Sequence, residues 1–76
     1  MDDIKRVFST LFTRDVRAVE PTKTGLIVGD NLRVYKEGSG FVLSFLAGTG
    51  HESRRGITEK LEQASVSFTL GKDFSN

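Results

Sequence analysis

The sequence predicts a small α+β domain in which an N-terminal helix packs on a bent, mostly antiparallel sheet of four or five strands. Three apolar runs, at residues 26–28, 32–35 and 41–47, are separated by short turns that contain glycine, as in an antiparallel meander. Before them, apolar residues recur at helical spacing. The length of 76 residues corresponds to a single domain, 1–76. The predicted order of elements is α-β-β-β-β-α-β.

The first element is a helix over residues 2–13. Its apolar side chains lie three or four positions apart and form one stripe, which consists of Ile4, Val7, Phe8, Leu11 and Phe12. Such a stripe is typical of a core-facing helix. The alternative, a detachable helix that docks in a groove of another protein, would leave the sheet without a cover.

The remaining elements follow from the apolar runs and the turn residues between them. Residues 16–20 form a short strand that ends at Pro21, and strands at 26–29, 32–37 and 41–47 follow. A polar loop over 48–56 leads into a short helix at 57–64. Residues 65–70 alternate polar and apolar side chains and form a last strand. The tail, 72–76, is expected to fray, with Phe74 as the one residue able to hold it down.

The predicted sheet is apolar on both faces. The residues assigned to the helix-facing side are Leu26, Val28, Leu32, Val34, Phe41, Leu43 and Phe45. The residues assigned to the other side are Val19, Ile27, Tyr35, Val42 and Leu46. A sheet with one solvated face does not normally carry that many outward apolar groups. Three explanations stay open: the sheet curls into a small barrel, the two helices cover opposite faces, or the second face binds another molecule.

Composition limits the classes of function. Eleven Lys and Arg residues against ten Asp and Glu residues give a net charge of +1, which argues against a duplex-binding protein and against a mimic of nucleic acid. Cysteine is absent, so disulfides and thiolate metal sites are excluded. No apolar run reaches the ~20 residues that cross a bilayer, and the acidic start does not resemble a signal peptide. We therefore expect a cytoplasmic protein without membrane contact.

The loop 48–56 is the segment whose composition suggests a ligand. Its candidate residues are Gly50, His51, Ser53, Arg54 and Arg55. Backbone N–H groups at a helix N-terminus together with arginines form an anion site. The spacing approaches the dinucleotide fingerprint, but that motif works inside a parallel βαβ unit with room for a second half, and the sequence predicts neither. The simpler interpretation is a solvated surface loop.

No set of nucleophile, base and orienting group is found, so we predict neither an enzyme nor a cofactor or metal. The leading prediction is a non-catalytic module that binds another protein, or a second copy of itself as a homodimer, through the second sheet face. Its anchors are Arg33, Tyr35, Val42 and Leu46, residue types usual in interface hot spots. Its size is that of accessory or inhibitor proteins, including those made by viruses and mobile elements.

The alternative prediction is a nucleic-acid or phosphate binder that uses loop 48–56 together with Arg33 and Tyr35. A protein partner is favoured because the chain has a single tyrosine and nearly balanced charge.

Overall fold

The computed structural model describes residues 2–12, 19–21 and 25–75. The elements in chain order are α1 (Asp2–Leu11), β1 (Val19–Pro21), β2 (Leu26–Val28), β3 (Leu32–Glu37), β4 (Gly40–Phe45), α2 (His51–Gln63) and β5 (Phe68–Leu70). This order confirms the predicted α+β class. The predicted ends of the first helix at residue 13 and of the first strand at 16–18 lie outside the described residues.

The five strands form one open sheet in the order β1-β2-β3-β4-β5. Strands β1 to β4 are antiparallel neighbours, whereas β5 runs parallel to β4. A parallel pair needs a crossover connection, which α2 supplies. Strands β4 and β5 together with α2 thus form a parallel βαβ unit, so the expectation that the chain lacks one is wrong. Because β1 and β5 lie at opposite edges, the explanation in which the sheet curls into a small barrel is wrong.

Both helices pack on the same face of the sheet. Ile4, Phe8 and Leu61 are fully buried there. The Phe8 ring stacks on Phe12, with centroids 5.3 Å apart, and meets Phe41 edge-on at 6.2 Å. The whole buried cluster consists of Ile4, Phe8, Phe12, Leu26, Val28, Leu32, Val34, Phe41, Leu43, Phe45 and Leu61. The explanation in which the helices cover opposite faces is therefore also wrong.

Val19 lies on the helix-facing side, not on the second face where the sequence placed it. It pairs with Val28 in the β1–β2 ladder, and paired residues point to the same face. It packs against the buried cluster. The prediction was wrong because a register shift of one residue moves every side chain of a strand to the other face, and the local sequence of β1 does not define its register with β2.

The helix α2 begins six residues earlier than predicted, so the expected loop 48–56 is wrong for residues 51–56. Gly48, with φ of +91°, turns the chain out of β4. The Thr49 N–H and its Oγ1 both donate to the Leu46 carbonyl, at 3.0 and 2.6 Å. The first turns of α2 contain no buried residue, and Leu61 is its only buried side chain. Without an apolar stripe, these turns resemble a loop in the sequence.

The C-terminal end of α2 is closed by a Schellman motif. The Val66 N–H donates to the Leu61 carbonyl at 2.9 Å, and the Ser65 N–H donates to the Glu62 carbonyl at 3.0 Å. The motif requires a left-handed residue, and Ser65 adopts it with φ of 58°. Glycine usually occupies this position, so Ser65 carries backbone strain.

Candidate functional site

The face of the sheet opposite the helices, called the second face, is the candidate site. The strand register arranges it in rows, since paired residues share a face. One row, the Tyr35 row, consists of Tyr35, Val42 and Thr69. The neighbouring Arg33 row consists of Ile27, Arg33 and Ser44.

The structure brings the four predicted anchors onto this one face. Arg33, Tyr35, Val42 and Leu46 are all half-buried, whereas their neighbours on the helix-facing side are buried. The buried side chains of α1 and α2 belong to the cluster on the other side of the sheet. Within the described residues, neither helix therefore covers the second face.

The C-terminal segment covers one end of this face. Beyond β5, the Gly71 N–H donates to the Leu43 carbonyl at 2.7 Å, and the Phe74 N–H donates to the Phe45 carbonyl at 3.0 Å. Phe74 forms a parallel bridge with Leu46. The fraying expected for residues 72–76 stays a prediction, and these hydrogen bonds hold residues 71–74 against β4.

The Phe74 ring lies under the guanidinium of Arg33, whose central carbon is 4.3 Å from the ring centroid. The two side chains reach toward each other across Ser44, which is only 8% exposed. A cation over an aromatic ring is attracted to its quadrupole. The chain's own C-terminal segment therefore contacts Arg33 and Leu46. The Tyr35 row is the more accessible part of the second face.

Two glycines flank the Tyr35 row. A Cβ on Gly25 would collide with the Val34 carbonyl oxygen and would lie 2.9 Å from Cδ1 of Tyr35. A Cβ on Gly71 would lie 2.9 Å from Cγ1 of Val42 and 2.7 Å from Oγ of Ser44. The Tyr35 ring and the Val42 side chain thus lie directly against backbone. Neither glycine has a side chain that would cover the Tyr35 ring or the Val42 side chain.

The alternative site around the start of α2 is organised differently. Gly50 is the N-cap and makes no side-chain cap hydrogen bond, and His51 and Ser53 are exposed. Arg54 donates from both terminal nitrogens to the two carboxylate oxygens of Asp73, at 2.9 Å each. Its Nε donates to the Thr49 carbonyl at 3.3 Å, and its guanidinium lies 5.2 Å from the Phe45 ring centroid.

This bidentate pair raises the pKa of Arg54 and lowers the pKa of Asp73, in each case mainly through the side-chain hydrogen bonds between them. The pair ties α2 to the segment after β5. Arg55 lies 3.8 Å from the Glu59 carboxylate one helical turn away. The two arginines predicted to receive an anion therefore already have carboxylate neighbours.

Asp73 and Thr69 are site residues that the sequence does not indicate. Thr69 was assigned to the polar side of the last strand, which alternation alone identifies, but its place beside Val42 depends on the parallel pairing of β4 and β5. Nothing in the sequence around Asp73 indicates that it pairs with Arg54. The contact of Phe74 with the sheet is indicated by the sequence, because Phe74 is the only apolar residue in the tail.

Neither of the helices in the described part of the chain is long and apolar enough to cross a membrane. Residues 2–12, 19–21 and 25–75 contain no group of three or more His, Asp or Glu side chains placed to hold a metal ion. Comparison of the chain with protein-family models, with curated proteins and with solved structures finds no match.

Proposed function

We propose that this protein is a non-catalytic interaction module that binds another protein through the second face, centred on the Tyr35 row. The observation that carries this proposal is the contrast between the two faces. Both helices cover one face of the sheet, whereas the second face has aromatic and aliphatic side chains that no described helix covers. Half-buried apolar side chains that no helix covers leave apolar surface available to a partner.

The chemistry of the face favours a protein as the partner. Tyr35, Val42 and Ile27 supply an aromatic and aliphatic centre. Glu20 pairs with Ile27, and Glu37 lies two residues beyond Tyr35 on the same face. An apolar centre with a rim of both charge signs is the usual anatomy of a protein–protein interface. Tyrosine and arginine are also among the residues enriched in hot spots.

The direct test is partner capture from native lysate by the tagged protein, compared with the Tyr35→Ala variant. A hot-spot tyrosine contributes about 2 kcal/mol or more, so we expect the affinity for the captured protein to fall at least about 30-fold. Gln63→Ala on the exposed side of α2 is the matched control and should leave capture unchanged. Equal capture by the Tyr35→Ala variant would refute the proposal.

Two further variants separate binding from folding. Tyr35→Phe keeps the ring against Gly25 and removes only the hydroxyl, so it controls for lost packing. Leu46→Asp should abolish capture while the far-ultraviolet circular dichroism spectrum and melting curve stay two-state. If Leu46→Asp instead unfolds a protein shown to be monomeric, that end of the second face belongs to the core.

The competing proposal, a nucleic-acid or phosphate binder, is weaker because the geometry engages Arg54 with Asp73. Its test is binding to single-stranded and duplex oligonucleotides across a salt series. A steep loss of affinity with salt that disappears in the double variant Arg54→Ala with Arg55→Ala would favour it. An absence of binding at low salt would eliminate it.

A further inference from the structure

Within the described residues, the outer edge of β5 has backbone groups without a hydrogen-bond partner. The Ser67 carbonyl accepts from the Phe41 N–H at 3.1 Å, and the Gly71 N–H donates to the Leu43 carbonyl at 2.7 Å. Residues 67, 69 and 71 therefore direct their backbone groups toward β4. Since alternate residues of a strand point their N–H and C=O groups to opposite sides, those of Phe68 and Leu70 point away from the sheet.

This edge lacks two features that often prevent edge-to-edge pairing, although β5 is short, with three residues. Such edges usually carry a charged residue or a proline. The other edge strand, β1, has both, as Glu20 and Pro21. Residues 65–71 contain neither a charged residue nor a proline. Leu70 is 65% exposed and is the one exposed large hydrophobic side chain among the described residues.

We propose that β5 pairs antiparallel with β5 of a second copy of this chain, about a two-fold axis at Thr69, to form a continuous ten-stranded sheet. Phe68 then pairs with Leu70 of the second copy, and Leu70 pairs with Phe68 of that copy. The four outward backbone groups of each β5 find partners. The exposed Leu70 gains an aromatic neighbour, a favourable cross-strand combination.

The structure selects this register over its two neighbours. A two-fold axis at Phe68 would pair Leu70 with Val66 of the second copy, but the Val66 N–H already donates to the Leu61 carbonyl in the Schellman motif. An axis at Leu70 would place Phe68 opposite Lys72. With the axis at Thr69, no two charged residues of equal sign lie opposite each other within residues 66–72.

The dimer is weak, because two strands of three residues bury far less area than a standard interface. We expect a dissociation constant on the order of 100 µM. The net charge of +1 per chain adds little repulsion.

Dimerisation also extends the surface described above, a consequence that rests on the proposed function. Thr69 ends the Tyr35 row, so the row would continue into Thr69, Val42 and Tyr35 of the second copy. The two tyrosines would lie about 24 Å apart, at five strand spacings of ~4.8 Å. A partner with two-fold symmetry could then be bound at both centres.

The test uses the absence of cysteine from the chain. In the Thr69→Cys variant, the two thiols form a non-hydrogen-bonded pair at the axis, whose spacing suits a disulfide. The Ser67→Cys variant is the matched control, an exposed residue on the same face whose two copies would lie ~13 Å out of register. Under mild oxidation at equal concentration, Thr69→Cys should give disulfide dimer at least about tenfold faster. Equal rates would overturn the register.

Sedimentation equilibrium tests the association without a cross-link. The unmodified chain should form dimers at high concentration, and Leu70→Lys should abolish them while its melting curve stays unchanged, since Leu70 is exposed. A protein that stays monomeric up to about 1 mM would overturn the proposal. Tyr35→Ala should leave the dimer intact, so failure of this inference and failure of the proposed function give different results.

Discussion

Replacing Ser65 with glycine is expected to stabilise the protein. Ser65 holds the left-handed position of the α2 Schellman motif with φ of 58°, and its side chain is exposed. For a residue with a Cβ, this conformation costs about 1–2 kcal/mol. Glycine removes that cost but adds about 0.4–1 kcal/mol of conformational entropy to the unfolded chain. The net gain is about 0.5–1 kcal/mol, which for a domain of this size corresponds to a rise in Tm of about 2–8 °C.

The measurement is urea denaturation followed by circular dichroism, with the midpoint and the m-value compared between variants. Ser67→Gly is the matched control, because Ser67 is also exposed but lacks a positive φ. There, glycine brings only the entropy of the unfolded chain, so the free energy of unfolding should fall by about 0.4–1 kcal/mol. A Ser65→Gly variant that is less stable than the unmodified protein would refute the assignment of strain to Ser65.

Two further predictions concern acid stability and glycine conformation. The pKa of Asp73 is lowered because Arg54 donates hydrogen bonds to its carboxylate. The contribution of the Asp73 carboxylate to stability is therefore present above its ordinary pKa of 3.8 and is lost as pH falls through its pKa in the folded protein. Asp73→Asn should therefore reduce the loss of stability that urea denaturation measures between about pH 4 and pH 2. Asp30→Asn is the control. An unchanged loss in the Asp73→Asn variant would contradict a stabilising pair between Arg54 and Asp73. Gly56→Ala should raise stability by about 0.5–1 kcal/mol, because Gly56 lies inside α2 with open space at its Cβ. Gly38→Ala should lower stability by about 1 kcal/mol, because Gly38 holds a φ of +60° in the two-residue β3–β4 turn. Shifts of equal sign for the two glycines would contradict this account.

Elements flanked by strong turn residues were predicted well. Strand β3 has its predicted bounds of 32–37, since Gly29 and Gly38 with positive φ bracket it. The start of α2 was misplaced because none of its first six residues is buried. These residues are held instead by Arg54, whose partners Asp73 and Thr49 lie in other segments.

In the candidate site, too, the local sequence predicts strand faces but not contacts between distant segments. Arg33, Tyr35 and Val42 share a face as alternation predicted, because the β-pleat directs every second side chain to the same side. The contact between Arg33 and Phe74 was not predictable, since it joins residues 41 positions apart across a parallel bridge. Val19 was assigned to the wrong face for a related reason, as its register depends on pairing with β2.

Local periodicity and turn chemistry were sufficient to establish the helix-and-meander order of this chain and the side to which most strand residues point. These properties depend on the geometry of a few consecutive residues. Which face both helices cover, and that β5 lies at an open edge beside β4, depend on long-range packing of α2 and on a parallel crossover. Such contacts gain their free energy only when distant segments meet, so no local pattern encodes them.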